Sequence, residues 1–306
     1  MRFGGHETFA VREGWLHKGL KLLLETPERL GDPYVADWLG VGRNMAKSIK
    51  HWLLATGLAE RSIEHGTEKQ TGLRLSPLGK LVYARDPDFL ERGTWWALHV
   101  NLVNTPEHAM TWWWFFNHWS QVRFERGTCQ EALRRHLELH EKRVPGLRTL
   151  QRDVACLLST YAREIPPTRT DPEDATESPF RELGLLSYFP ASAVFRRNAM
   201  QSHDVPPELV GYALVLAARH LPGQGTFAEM TVRDACFEKG GPGRCFQMDL
   251  ETLHQVCLEA GSNLGGDRFN VTTFAGERVI QFASKPKEEW LLEYYDKVAA
   301  DRREAA

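Results

Sequence analysis

The sequence predicts a mainly α protein with small β-hairpins, built on an N-terminal winged helix-turn-helix. Three observations carry this. Apolar residues recur at helical spacing through most of the chain. Gly40-Val41-Gly42 is a tight turn between a short helix and a longer one. Two short strand-like runs around a polar stretch follow at once.

Trp15, Leu16, Leu20, Leu22 and Leu23 predict a helix over 11–25, stopped by Pro27 and by Gly31-Asp32-Pro33. Asp32 can cap the next helix, with Pro33 at its first position and Val35, Trp38 and Leu39 facing inward. Residues 43–55 form the second helix of the pair. Met45, Ile49, Trp52 and Leu53 give its apolar stripe, and Arg43, Asn44, Lys47, Lys50 and His51 its other face. No acid occurs between Arg43 and Ala59. Gly57 suits a C-cap. Residues 58–61 and 72–75 read as the wing strands, 64–72 as the wing tip, and Ser76-Pro77 as the start of a further helix.

Residues 88–125 hold six of the ten tryptophans: Trp95, Trp96, Trp112, Trp113, Trp114 and Trp119. A helical core of large side chains accounts for them; stacking of single-stranded nucleic acid is the alternative. Two helices follow over 129–164, broken at Pro145-Gly146, with Asp153 at the edge of the second one's apolar face. The proline-rich run 166–179 reads as a linker. Beyond it come a helix over 206–220, a short helix capped by Thr231, a helix capped by Asp249, a hairpin around Ala275-Gly276 and a polar terminal helix over 287–303. That order can form a second winged-helix-like unit. The expected segments are therefore a winged helix-turn-helix over 1–87, a Trp-rich helical domain over 88–165, a linker and docking segment over 166–205, and a winged-helix-like domain with its terminal helix over 206–306.

The net charge of -2 does not mark a nucleic-acid binder by itself. Local charge decides, since a phosphate-binding face needs only a few cations on one side. Five cysteines without a C-x-x-C pair argue against a disulfide framework or tetrathiolate zinc and for reduced thiols. With no signal core and no membrane span, the expected place is the cytoplasm.

On chemistry alone, Lys47 and Lys50 can neutralise phosphates, Arg43 and Asn44 can reach base edges, and Arg74 on the wing can touch the backbone or minor groove. In Phe3-Gly4-Gly5-His6-Glu7-Thr8-Phe9, the glycines allow close approach to an anion, and His6 with Glu7 offers proton transfer or metal ligation. Lys239-Gly240-Gly241-Pro242-Gly243-Arg244 reads as a plain turn, since no Walker pattern surrounds it. Spacing therefore supports DNA binding but does not by itself specify an enzyme.

The opening motif with Arg12-Glu13-Gly14-Trp15 resembles a bacterial family long known only as a domain of unknown function. The resemblance continues in 95–102, 111–117, Leu150-Gln151-Arg152-Asp153-Val154, 180–185 and 275–278. Members occur with DNA phosphorothioation systems, and the chain resembles the DNA-nicking component of the Ssp type. That resemblance implies cutting of one strand of duplex DNA in a bacterial defence system. It also implies partners: a cysteine desulfurase, an ATPase and an ATP-pyrophosphatase-like sulfur-transfer enzyme. Hydrolysis of a phosphodiester commonly uses Mg²⁺ or Mn²⁺ on carboxylates. The expected set is His6 as base or acid, Glu7 and Asp153 on a metal, and Arg12 on the phosphate. A non-catalytic DNA-binding regulator or loader is the main alternative, and a protein-interaction scaffold the third.

Overall fold

Residues 43–55 and 287–304 fold as the helices expected there, while the short strands that pair over long range have no counterpart in the sequence pattern. The computed structural model describes residues 2–63, 70–167, 177–218 and 226–304. It is mainly α with small sheets. The described residues fall into two compact units, one of 2–90, 101–115 and 119–198, the other of 91–100, 116–118 and 199–304. These units do not follow the expected segments: residues 91–100 and 116–118 leave the Trp-rich segment, and the first unit runs on to 198.

The first unit opens with α1 (Trp15–Glu25), a 3-10 turn (Pro27–Gly31), α2 (Val35–Leu39) and α3 (Arg43–Ala55). Gly14 takes a left-handed φ of 72°, so α1 starts at Trp15 and not at the expected residue 11. Asp32 does act on the start of the next helix, accepting a hydrogen bond from the Tyr34 N–H at 2.7 Å. Gly40 ends α2 at φ 63°, and Gly57 follows α3 at φ 76°; both conformations are strained for residues with a Cβ.

The hairpin follows as β1 (Ala59–Ile63) and β2 (Gln70–Leu75), antiparallel with Ala59 opposite Leu75. Most of the expected wing tip, 64–69, lies outside the described residues. Ser76 caps α4 (Pro77–Arg85), its hydroxyl accepting from the Gly79 N–H at 2.9 Å.

The tryptophan-rich run forms α5 (Arg92–Val103) and α6 (Pro106–Asn117). Within the first unit, Trp112 stands edge-on to Trp52 at 5.5 Å and is buried. Trp114 stacks on Trp119 at 5.5 Å, and Trp119 meets Phe124 at 4.4 Å. These rings are core, not a stacking platform. Asn101 has the partner that a buried amide needs, donating to the Thr56 carbonyl at 3.0 Å.

Next come β3 (Arg123–Glu125), α7 (Arg126–His140), α8 (Leu147–Tyr161) and β4 (Ala162–Glu164). The expected linker over 166–205 instead supplies β5 (Leu186–Phe189) and β6 (Val194–Arg197). They complete a four-stranded sheet in the order β3-β6-β5-β4. Its strands are three or four residues long, too short to show a period. The middle of that expected linker, 168–176, lies outside the described residues.

The second unit holds α9 (Pro207–Ala217), β7 (Phe227–Thr231), α10 (Val232–Phe237), α11 (Pro242–Cys245), α12 (Leu250–Leu264), β8 (Phe269–Phe274), β9 (Glu277–Ala283) and α13 (Lys287–Glu304). Thr231 and Asp249 cap α10 and α12 as expected. Ala275 and Gly276 both have positive φ, the turn a two-residue hairpin needs. β9 also pairs with β7, giving the order β7-β9-β8. The glycine loop before α11 is built for close packing: a Cβ on Gly241 would lie 2.4 Å from the Ala235 carbonyl oxygen, and one on Gly243 2.6 Å from Cys236 Cα.

His99 is fully buried in this unit, its Nε2 2.9 Å from the Cys245 carbonyl oxygen. Burial pushes its pKa down to about 4. The unfolded chain therefore takes up a proton near the usual value of about 6.5 that the folded chain refuses. Stability is expected to fall as pH drops from about 6.5 toward 4, by about 3 kcal/mol in all. Urea unfolding across that range checks this, and His99→Gln should flatten the acid limb.

The cysteines are free and buried, as expected of reduced thiols. Among the described residues, no helix is long and apolar enough to cross a membrane.

Candidate nucleic-acid interface

The N-terminal turn and α3 bring the predicted residues of the first unit together. Asp153, on α8, is 2% exposed. Its Oδ1 accepts from the Gly4 N–H at 2.9 Å and lies 3.0 Å from His6 Nε2, and its Oδ2 accepts from the Thr111 hydroxyl at 3.1 Å. The Thr8 N–H donates to His6 Nδ1 at 3.0 Å. Nδ1 is therefore an acceptor, and the ring hydrogen on Nε2 points at Asp153. His6 is 1% exposed.

Both nitrogens of His6 are engaged inside the protein, which pins the N-terminal turn. Asp153 is buried and accepts three hydrogen bonds from the protein, two on Oδ1 and one on Oδ2. Glu7 itself is about one-third exposed and faces Lys47, with Oε1 3.7 Å from Nζ. Among the described residues, no group of three or more His, Cys, Asp or Glu side chains is gathered to hold a metal. Arg12 packs its guanidinium 5.4 Å from the ring centres of both Phe9 and Trp15.

The turn that His6 pins is strained. Gly4, Glu7 and Thr8 have φ of 69°, 49° and 71°. A non-glycine residue held left-handed costs about 1–2 kcal/mol. The network on Asp153 offsets this and fixes Glu7 beside α3. Trp52, also on α3, donates its indole N–H to the Phe9 carbonyl at 3.1 Å.

On α3, Arg43, Asn44 and Lys47 are exposed and Lys50 is half-buried. Burial lowers the Lys50 pKa. His51 departs from the expected face: it is 3% exposed, edge-on to His6 at 6.0 Å and to Trp52 at 5.5 Å. Helix geometry explains it, since residue 51 sits between the apolar stripe and the basic edge. Arg74 is paired with Glu60 across the hairpin at 2.8 Å. Successive strand residues face opposite sides, so that pair points away from the face carrying Arg61 and Leu73.

Two recesses flank Glu7. The first, about 370 Å³, is lined by Arg2, Glu7, Lys47, Lys50, His51 and Arg61, with Leu30, Leu54 and Leu73 as apolar walls. The second, about 500 Å³, is lined by Gly4, His6, Glu7, Thr8, Asn44, Thr149 and Arg152. Sequence reasoning missed Arg2, Arg61, Thr111 and Arg152. Arg2 and Arg152 adjoin the noticed motif residues, but nothing local ties Arg61 or Thr111 to them.

The model of the family described as a protein of unknown function, DUF4007, matches residues 3–295. The fold is similar to a crystal structure of magnesium ion-bound SspB, with a TM-score of 0.83 and 25% identity over 97% of this chain and 88% of that one. A second SspB crystal structure gives a TM-score of 0.82 and 26% identity over the same shares. No curated protein sequence matches the chain.

Proposed function

This chain belongs to the DUF4007 family, and on that premise we propose that it is a DNA-binding component of a phosphorothioation system that nicks one strand of duplex DNA. The observation that carries the reading is the exposed, acid-free edge of α3, Arg43, Asn44 and Lys47, set beside the pinned turn that holds Glu7. Likeness to SspB over nearly the whole chain supports the system. The order α2, turn, α3, β1, β2 supports a winged helix whose second helix enters the major groove, with Arg43 and Asn44 at its leading end. The β7–α10–α12–β8–β9 half is a second such unit in this proposal. A cysteine desulfurase, an ATPase and a sulfur-transfer enzyme are its proposed partners, and the cytoplasm its place.

Mg²⁺ or Mn²⁺ is proposed to arrive with the DNA. Mg²⁺ keeps several waters and binds through one or two carboxylates plus phosphate oxygens, and Glu7, the more exposed of the two expected carboxylates, is proposed to meet it. A bound ion would supply Lewis-acid stabilisation of the phosphate. Gly4, His6, Thr111 and Asp153 keep the turn in place, and Lys47 orients the Glu7 carboxylate. The burial of His6 and Asp153 and their hydrogen bonds within the protein favour a second reading, a DNA-binding loader for the modification enzymes.

Supercoiled plasmid separates the two. The nickase reading expects conversion to open circles with Mg²⁺ or Mn²⁺, stopped by EDTA and lost in Glu7→Gln. Duplex binding without conversion, with and without the partner proteins, would leave the loader.

A further inference from the structure

The recess on the hairpin side of Glu7 contains an unexplained side chain. His51 is nine-tenths buried or more, and neither ring nitrogen has a hydrogen-bond partner. A buried polar group left without a partner needs an explanation. Burial first, then His6, Arg2 and His108, hold its pKa well below the ordinary range. The neutral ring offers one N–H donor and one lone pair. The charged and titratable groups around it are His6, Arg2 and Glu7 of the N-terminal turn, Lys47 and Lys50 of α3, Arg61 of β1 and His108 of α6.

The same recess has four cations, Arg2, Lys47, Lys50 and Arg61, against the single acid Glu7. Its wall is bare where Gly5 stands. A Cβ there would lie 2.5 Å from His51 Nδ1 and 2.9 Å from Arg2 Nε, so glycine lets imidazole and guanidinium converge on one spot.

We infer that this recess binds one phosphate group of a DNA strand, held by the Arg2 and Arg61 guanidiniums and the Lys50 ammonium, with the His51 N–H as its neutral donor. The inference rests on the DNA-binding reading and adds the chemistry and the side chains of one site. Two sources share that chemistry. A diester in a continuous strand carries one negative charge; a terminal phosphate monoester carries about -1.5 to -2 and better matches the surplus of cations.

The test uses the full chain with ¹⁵N-labelled histidine, titrated with inorganic phosphate at constant ionic strength. His51 is identified by the signal missing in His51→Gln. Its ring signals should move saturably, and the pH midpoint of the ring should rise by about one unit or more as an anion settles beside it. Arg2→Gln and Arg61→Gln, both at exposed positions, should weaken phosphate binding by about tenfold each without changing the melting temperature. Nicked duplexes ending in a 5′-phosphate or a 5′-hydroxyl then separate the sources. Tighter binding of the phosphorylated nick, lost in Arg2→Gln and Arg61→Gln, identifies a terminal phosphate. Equal binding, weakened alike by those variants, identifies an internal diester. A His51 ring that phosphate does not move, in a chain whose variants bind duplex like the parent, overturns the recess and leaves DNA binding intact. Phosphate that moves His51 while no DNA binds overturns the functional reading and reduces the recess to a free-phosphate site.

Discussion

Asp153→Ala is expected to destabilise the chain by about 3–5 kcal/mol, because three donors are left without an acceptor at about 1–3 kcal/mol each. Three donors lose their acceptor at once: the Gly4 N–H, the His6 ring and the Thr111 hydroxyl. The strained turn at Glu7 and Thr8 then loses part of what holds it, because the hydrogen bonds of the His6 ring run to Asp153 and the Thr8 N–H. Asp153→Asn should cost less, about 1–3 kcal/mol, since its oxygen can still accept from Gly4 and its amide can donate to Thr111. Urea unfolding measures both. Plasmid nicking by Asp153→Ala should be lost even where the variant remains folded, because Glu7 is no longer held beside Lys47. A loss of under about 1 kcal/mol would mean the turn is held by other contacts.

Lys47→Glu combined with Lys50→Glu should weaken duplex binding by about tenfold or more and lower the salt slope by about two. The stability cost should be small. The Lys47–Glu7 pair is exposed enough to contribute about 1 kcal/mol or less, and Lys50 is already penalised by burial. Arg74→Glu is the control. Its guanidinium is paired with Glu60 on the other face of the hairpin, so its effect should be several times smaller. Equal losses from both substitutions would mean that net charge, not the α3 edge, governs binding.

How much was readable from the residues follows from the range of the forces involved. The α3 boundaries, the Ser76, Thr231 and Asp249 caps and the Ala275-Gly276 hairpin depend on neighbours within a few positions, and each matches expectation. The β3-β6-β5-β4 sheet joins segments separated by tens of residues through strands of three or four, and no local pattern announces it. The site divides in the same way. Lys47 and Glu7 were legible as exposed charges near motif glycines. The His6–Asp153 pair spans 147 positions. Its residues could be named from sequence, but not that they would hydrogen-bond each other inside the protein. His51 shows the limit most clearly: one helical step of about 100° decides between the basic edge and the interior.

The most direct measurement is duplex affinity of the intact chain as salt is raised. With roughly four cations on phosphates, affinity should fall about a hundredfold between about 50 and 200 mM salt. The slope should flatten when Lys47 and Lys50 are reversed. Binding that ignores salt, or no duplex binding at the lowest salt, would contradict the account.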